Sequence, residues 1–153
     1  AAKGIAYGAN KPLISVSTLQ NMAYGGKQTL EVNENDLLAP MIDARRMEVY
    51  TQLFDYNLNP LNKINAKIID EQSFISELEK HKIYFFGDGA LKCQNAIKHK
   101  NAIFVEDLNP SADFMIPFSE KAFNENNFED VAYFEPFYLK DFIATIPRKN
   151  IFG

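Results

Sequence analysis

Gly87-Asp88-Gly89 stands between an apolar run, 82–86, and an amphipathic stretch, and is the best ligand-holding candidate in this sequence. Free N–H groups at a helix start attract an anion, and glycine lets a phosphate come close to the backbone. The loop has neither a Walker lysine nor a G-x-G-x-x-G spacing, and Asp88 would repel phosphate unless a metal intervened. In the simpler reading, which is favoured, Asp88 caps the helix and the glycines make the turn. Gly87, Asp88 and Gly89 are thus the candidate nucleotide-contacting residues. Asp43 with Arg45 and Arg46 sets an acid beside two cations. The same trio makes a solvated turn with a local ion pair, worth about 0–1 kcal/mol; any role for it fits a partner surface better than catalysis. His81 and His99 each sit among lysines at the end of a predicted helix, without H-x-x-x-H or H-E-x-x-H spacing, and the single Cys93 cannot build a zinc site. No G-x-S-x-G elbow occurs. The pattern assigns no catalytic residue and no metal ligand.

The elements around these residues alternate in period. Ser17-x-x-Gln20 has capping-box spacing, Leu19, Met22 and Ala23 recur at helical spacing, and Gly25-Gly26 is expected to stop that helix. Met41-Ile42, the polar Asp43-Ala44-Arg45-Arg46 and the alternating run 47–54 predict a strand, a turn and a strand. Residues 55–62 read as a turn and 63–69 as a short extended piece. Asp70 is expected to cap a helix over 71–80 with Phe74, Ile75 and Leu78 inward. Strand 82–86 follows, then a helix face of Ala90, Cys93 and Ile97, then strand 102–105. Asn109-Pro110 predicts a helix start with Pro at the first helical position. Pro117 should break or kink that helix, since an interior proline costs roughly 3 kcal/mol or more, and the remainder runs to about Asn126. Helices alternating with strands, plus a hairpin, predict an α/β layer structure with a mixed sheet.

Composition narrows the function. At 153 residues, 46% hydrophobic and 13% aromatic, the chain suits one domain with a real core. Its net charge of −4 disfavours autonomous nucleic-acid binding, which draws its affinity from neutralised phosphates. Arg148-Lys149 reads as a solvated tail. A lone Cys93, facing the core, fits a reducing compartment. No run reaches the roughly 18 apolar residues of a membrane span, and the start lacks a signal-peptide pattern. A cytoplasmic protein without a membrane partner is expected.

Ile42-Asp43-Ala44-Arg45 followed by Glu48-Val49-Tyr50, an I-D-A-R-x-x-E-V-Y run, resembles the bacterial TsaB family, also called YeaZ. Four further stretches resemble that family in the same order: Ala2-Lys3-Gly4-Ile5-Ala6-Tyr7-Gly8, Pro12 to Leu19, Phe85 to Ala90, and the Pro136-Phe137-Tyr138-Leu139-Lys140-Asp141-Phe142 tail. The resemblance implies a ribonuclease-H-like lobe of the actin, sugar kinase and heat-shock superfamily. It also implies that 1–153 is the second, C-terminal lobe, since the family's D-T-S strand and G-P-G-S-F-T-G-L-R loop do not occur here. The implied function is a non-catalytic subunit in making threonylcarbamoyladenosine at position 37 of transfer RNA, scaffolding the catalytic TsaD subunit beside a TsaE-like ATPase. Transfer RNA would be met only through the complex, and ATP would be a cofactor only there. The family's main contacts lie in the first lobe, so this chain is expected to expose a sheet edge and to self-associate. The aromatic tail 135–144 is expected to pack back on its own lobe. Rival readings are a peptidase-like hydrolase of the glycoprotease family and an ATP-binding module. A proline at the position of Pro117 departs from the family's helix there.

Overall fold

Residues 1–139 are described by the computed structural model; what was read from 140–144 and from Arg148-Lys149 lies outside them. The apolar run Leu37–Asp43 forms β1, and Glu48–Thr51 forms β2 antiparallel to it, with Met41 facing Thr51 and Asp43 facing Val49. Asn65–Ile68, β3, adds to the outer side of β2 as a third antiparallel strand. Ile83–Phe86, β4, lies parallel to β1 on its other side, and Ala102–Val105, β5, lies parallel to β4. The order β3-β2-β1-β4-β5 is the expected mixed sheet. β1 begins earlier than the sequence pattern suggests because Pro40, which can donate no N–H, sits inside a central strand. Leu38 faces Phe54 and Met41 faces Thr51, so the register holds across the proline, and the Thr51 hydroxyl donates to the Pro40 carbonyl at 2.8 Å.

Alternation along the strands divides the core into two layers. On one face Met41, Val49, Ile83 and Phe85 meet Phe74, Leu78, Cys93 and Ile97. On the other, Leu38, Phe54 and Phe86 meet Leu19, Met22 and Ala23 of α2, Thr18–Thr29. Ser17 is the N-cap of α2, but its side chain makes no capping hydrogen bond, so the expected capping box is not formed. Nor do the glycines stop α2. It runs on to Thr29 because Gly25 and Gly26 serve packing: a Cβ on Gly26 would lie 2.8 Å from Phe86 Cζ, and one on Gly25 would collide with the Phe114 ring.

The shorter helices depart from expectation for local reasons. Asp70 does organise its turn, accepting from the Gln72 N–H at 3.1 Å and the Ser73 hydroxyl at 2.8 Å. The α-helix that follows, α3, spans only Ile75–Leu78, because Phe74 takes a left-handed conformation at φ 64° and interrupts the run. Its ring is thereby turned onto Phe85, 5.3 Å away between centroids. Ala90, Cys93 and Ile97 are buried together as expected, yet no α-helix carries them: only Cys93 falls on a regular turn, the 3-10 segment Leu91–Cys93, with Ala90 just before it and Ile97 beyond it. Asn109-Pro110 does not start a helix. The first turn is a 3-10 segment, Ala112–Met115, capped by the Ser111 hydroxyl accepting from the Asp113 N–H. Pro117 marks the break foreseen for it: α4, Ile116–Asn124, begins with Pro in its first turn, where the missing N–H costs nothing. At the start of the chain Ala2–Gly8 forms α1, whose Lys3 ammonium donates to the carbonyls of Ala132 and Phe134, both at 3.0 Å.

Candidate functional site

Gly87, Asp88 and Gly89 lie where β4 ends, against the end of β1. Gly87 has φ +98°, and a Cβ there would stand 2.5 Å from the Met41 carbonyl oxygen. Gly89 donates its N–H to that same oxygen at 3.1 Å, and a Cβ on it would meet the Ile42 carbonyl carbon at 2.9 Å. The Ala90 N–H closes the turn on the Gly87 carbonyl at 3.0 Å. Both glycines are therefore required by the approach of one backbone to another. Asp88 does not cap the helical turn after it. Its Oδ1 accepts from the Asp43 N–H at 3.0 Å, fastening the loop to the tip of the hairpin.

The charged groups converge on that tip. Lys92 donates from Nζ to Asp43 Oδ1 and, at 2.7 Å, to the Glu48 carbonyl. Asp43 Oδ1 also accepts from the Arg45 N–H at 2.7 Å. Arg45 and Arg46 both have positive φ, 69° and 50°, and expose their side chains. The ion pair anticipated within the turn is thus made to Lys92, a residue that sequence inspection did not single out; it lies far along the chain, and no local pattern marks it. The Lys92 hydrogen bond, then the Arg45 N–H, hold the Asp43 carboxyl below its ordinary pKa. A depressed carboxylate pKa favours the folded state at neutral pH, and that contribution disappears as pH falls through the folded value. We expect the Asp43 carboxyl resonance to titrate below the usual aspartate range. In Lys92→Met its midpoint should move upward, and an unchanged midpoint would show that Lys92 does not govern the group.

His81 Nδ1 lies 2.7 Å from the Asn35 carbonyl, and His99 Nδ1 accepts from the Asn101 N–H at 3.2 Å, so each histidine engages main chain near its own strand end. Cys93 is buried, donates to the Gly89 carbonyl at 3.2 Å and has its thiol pKa raised by burial, as suits a core residue. A groove of about 680 Å³ runs over the α2 face of the sheet, with Val16, Leu19, Ile42, Tyr50 and Ile64 on one wall and Phe134 to Leu139 on the other. The described part of the tail therefore lies along its own lobe, while the side chains of Phe137 and Tyr138 remain about three-quarters exposed. A more polar cavity of about 400 Å³ is lined by Gln20, Asn57, Lys121 and Glu125 among others. Neither cavity touches the Gly87–Gly89 loop.

A family model described as "TsaD: tRNA N6-adenosine threonylcarbamoyltransferase" matches residues 1–148. The chain belongs to this family. Within it, the chain is similar to TsaB, or YeaZ, proteins. It is 28% identical over 97 residues to the tRNA threonylcarbamoyladenosine biosynthesis protein TsaB of Bacillus subtilis, a match covering 61% of this chain and 40% of that protein. The fold is that of a Pseudomonas aeruginosa protein with similarity to peptidase YEAZ, at TM-score 0.74 and 18% identity over 90% of this chain. YeaZ from the same organism matches at TM-score 0.70 and 18% identity. This TsaB-like chain spans 63% of each of those two solved chains, and its mixed sheet with flanking helices is the ribonuclease-H-like arrangement that the resemblance implied.

Proposed function

We propose that this chain is the second lobe of a non-catalytic subunit that serves threonylcarbamoyladenosine synthesis on transfer RNA by holding a TsaD-like catalytic subunit in working geometry. What supports this reading is the sequence likeness to a protein named for that biosynthesis. The site chemistry agrees with it: Asp43, Asp88 and Lys92 are engaged in fastening one loop to another. In this reading a TsaE-like ATPase joins the assembly and transfer RNA is met only through it. ATP enters only in the assembled complex, where Gly87, Asp88 and Gly89 would be its candidate contacts on this lobe. The setting is the cytoplasm; among the described residues no helix is long and apolar enough to cross a membrane. Copies of the chain also associate with one another.

The test is reconstitution with the TsaD-like protein and ATPase of the same cell, scoring threonylcarbamoyladenosine in transfer RNA. Modification is expected to need the full-length protein that carries this lobe, and that full-length protein is expected to co-purify with the TsaD-like one. Transfer or peptide hydrolysis by this chain alone, or full modification in its absence, would overturn the scaffold reading.

A further inference from the structure

Among the described residues, β3 is the outermost strand on the hairpin side of the sheet. The Ile69 N–H donates to the Met47 carbonyl at 2.7 Å, so the polar backbone groups of residue 69, and by alternation those of 67 and 65, point toward β2. The N–H and C=O of Ile68, Ala66 and Ile64 therefore point away from the sheet. Ile68 is 71% exposed, and the strand carries neither a proline nor a bulge. Lys67, the charge that would ordinarily guard such an edge, instead folds its ammonium over the Phe74 ring at 3.9 Å.

We propose that β3 pairs antiparallel with β3 of a second copy of this chain, centred on Ala66, to join the two sheets edge to edge. This rests on the self-association proposed above and gives it a surface. Only registers that bring outward-pointing residues opposite one another can form a ladder, and centring on Ala66 is one of them. It sets Ala66 against Ala66 and, on the same face, Ile68 of each copy against Ile64 of the other. Ile64 is already part of the apolar groove wall, so the exposed isoleucine gains an apolar neighbour at the groove's end. On the opposite face Asn65 meets Lys67, so no like charges stand directly opposed. The segment is basic at Lys63 and acidic at Asp70 and Glu71. Antiparallel pairing lays the basic end of one copy along the acidic end of the other.

Light scattering over a concentration series tests this on the whole chain. The chain is expected to form a concentration-dependent dimer, and Ala66→Pro to weaken it at least tenfold. That change removes an outward N–H while sparing the bonds to β2. Ile68→Lys, at an exposed side chain, should act in the same direction and carries the test if the proline variant fails to fold. Ala66→Cys should form an intermolecular disulfide on oxidation, because directly opposed hydrogen-bonded residues lie about 5.5 Å apart, whereas Lys67→Cys should not. A monomer at every concentration would overturn both the self-association and its surface. A dimer that survives both edge variants would overturn the β3 pairing and leave self-association standing.

Discussion

Phe85→Ala is expected to lower the stability of the chain by about 3–5 kcal/mol, the usual cost of emptying a large buried aromatic site. Phe85 is fully buried, and its ring packs on Phe104 at 5.1 Å and on Phe74 at 5.3 Å between centroids. It joins β4 to β5 and to the turn before α3, so the loss would be felt across one whole layer. Domains of this size are stable by only about 5–15 kcal/mol. Urea denaturation should show a large fall in midpoint at little changed slope, and a fall under 1 kcal/mol would mean that this layer is not the main source of stability.

Gly87→Ala is expected to cost about 3 kcal/mol, by a different route. A left-handed backbone costs a Cβ-bearing residue roughly 1–2 kcal/mol, and the new methyl would press on the Met41 carbonyl, adding the roughly 1–3 kcal/mol of an overpacked site. The carbonyl is main chain in a central strand and cannot rotate aside. The loop would have to lift from β1, and the Asp88 bond to the Asp43 N–H should loosen with it. Amide exchange at Asp43 should accelerate along with the drop in unfolding midpoint. A stable variant with unchanged exchange would refute the close-approach account of this glycine.

The hairpin was legible because its signals agree. An apolar run, a charged reversal and strict alternation all lead to β1 and β2, and a two-residue period is hard to mistake when one face is buried. β4 and β5 were legible as compact runs. Pro40 hid the start of β1, since proline in a central strand argues against a strand unless tertiary pairing holds the register on both sides of it. Gly25-Gly26 misled for the opposite reason. Glycine ends helices by its backbone freedom, but it also admits a neighbour by its lack of side chain, and only the positions of Phe86 and Phe114 reveal which use applies. Phe74 shows the limit of periodicity: its burial was foreseen, but the left-handed turn that achieves it was not. In the candidate site the glycines and both acids could be read from local spacing. Lys92 could not, because its bond to Asp43 exists only once β4 has docked beside β1.

The two halves of the sheet also differ in how far the chain must travel to make them. β1, β2 and β3 follow one another as a meander, so each pairing closes a short loop. Joining β4 to β1 brings Leu37 to Ile83, and the entropy of closing so long a loop must be met before any contact rewards it. The meander is thus the natural early structure as the chain folds, and arrival of β4 the slow event. Until then Pro40 and its neighbours would offer a bare flank to any sticky stranger in a crowded cell, which makes the moment before docking the one when this lobe most needs a chaperone's company.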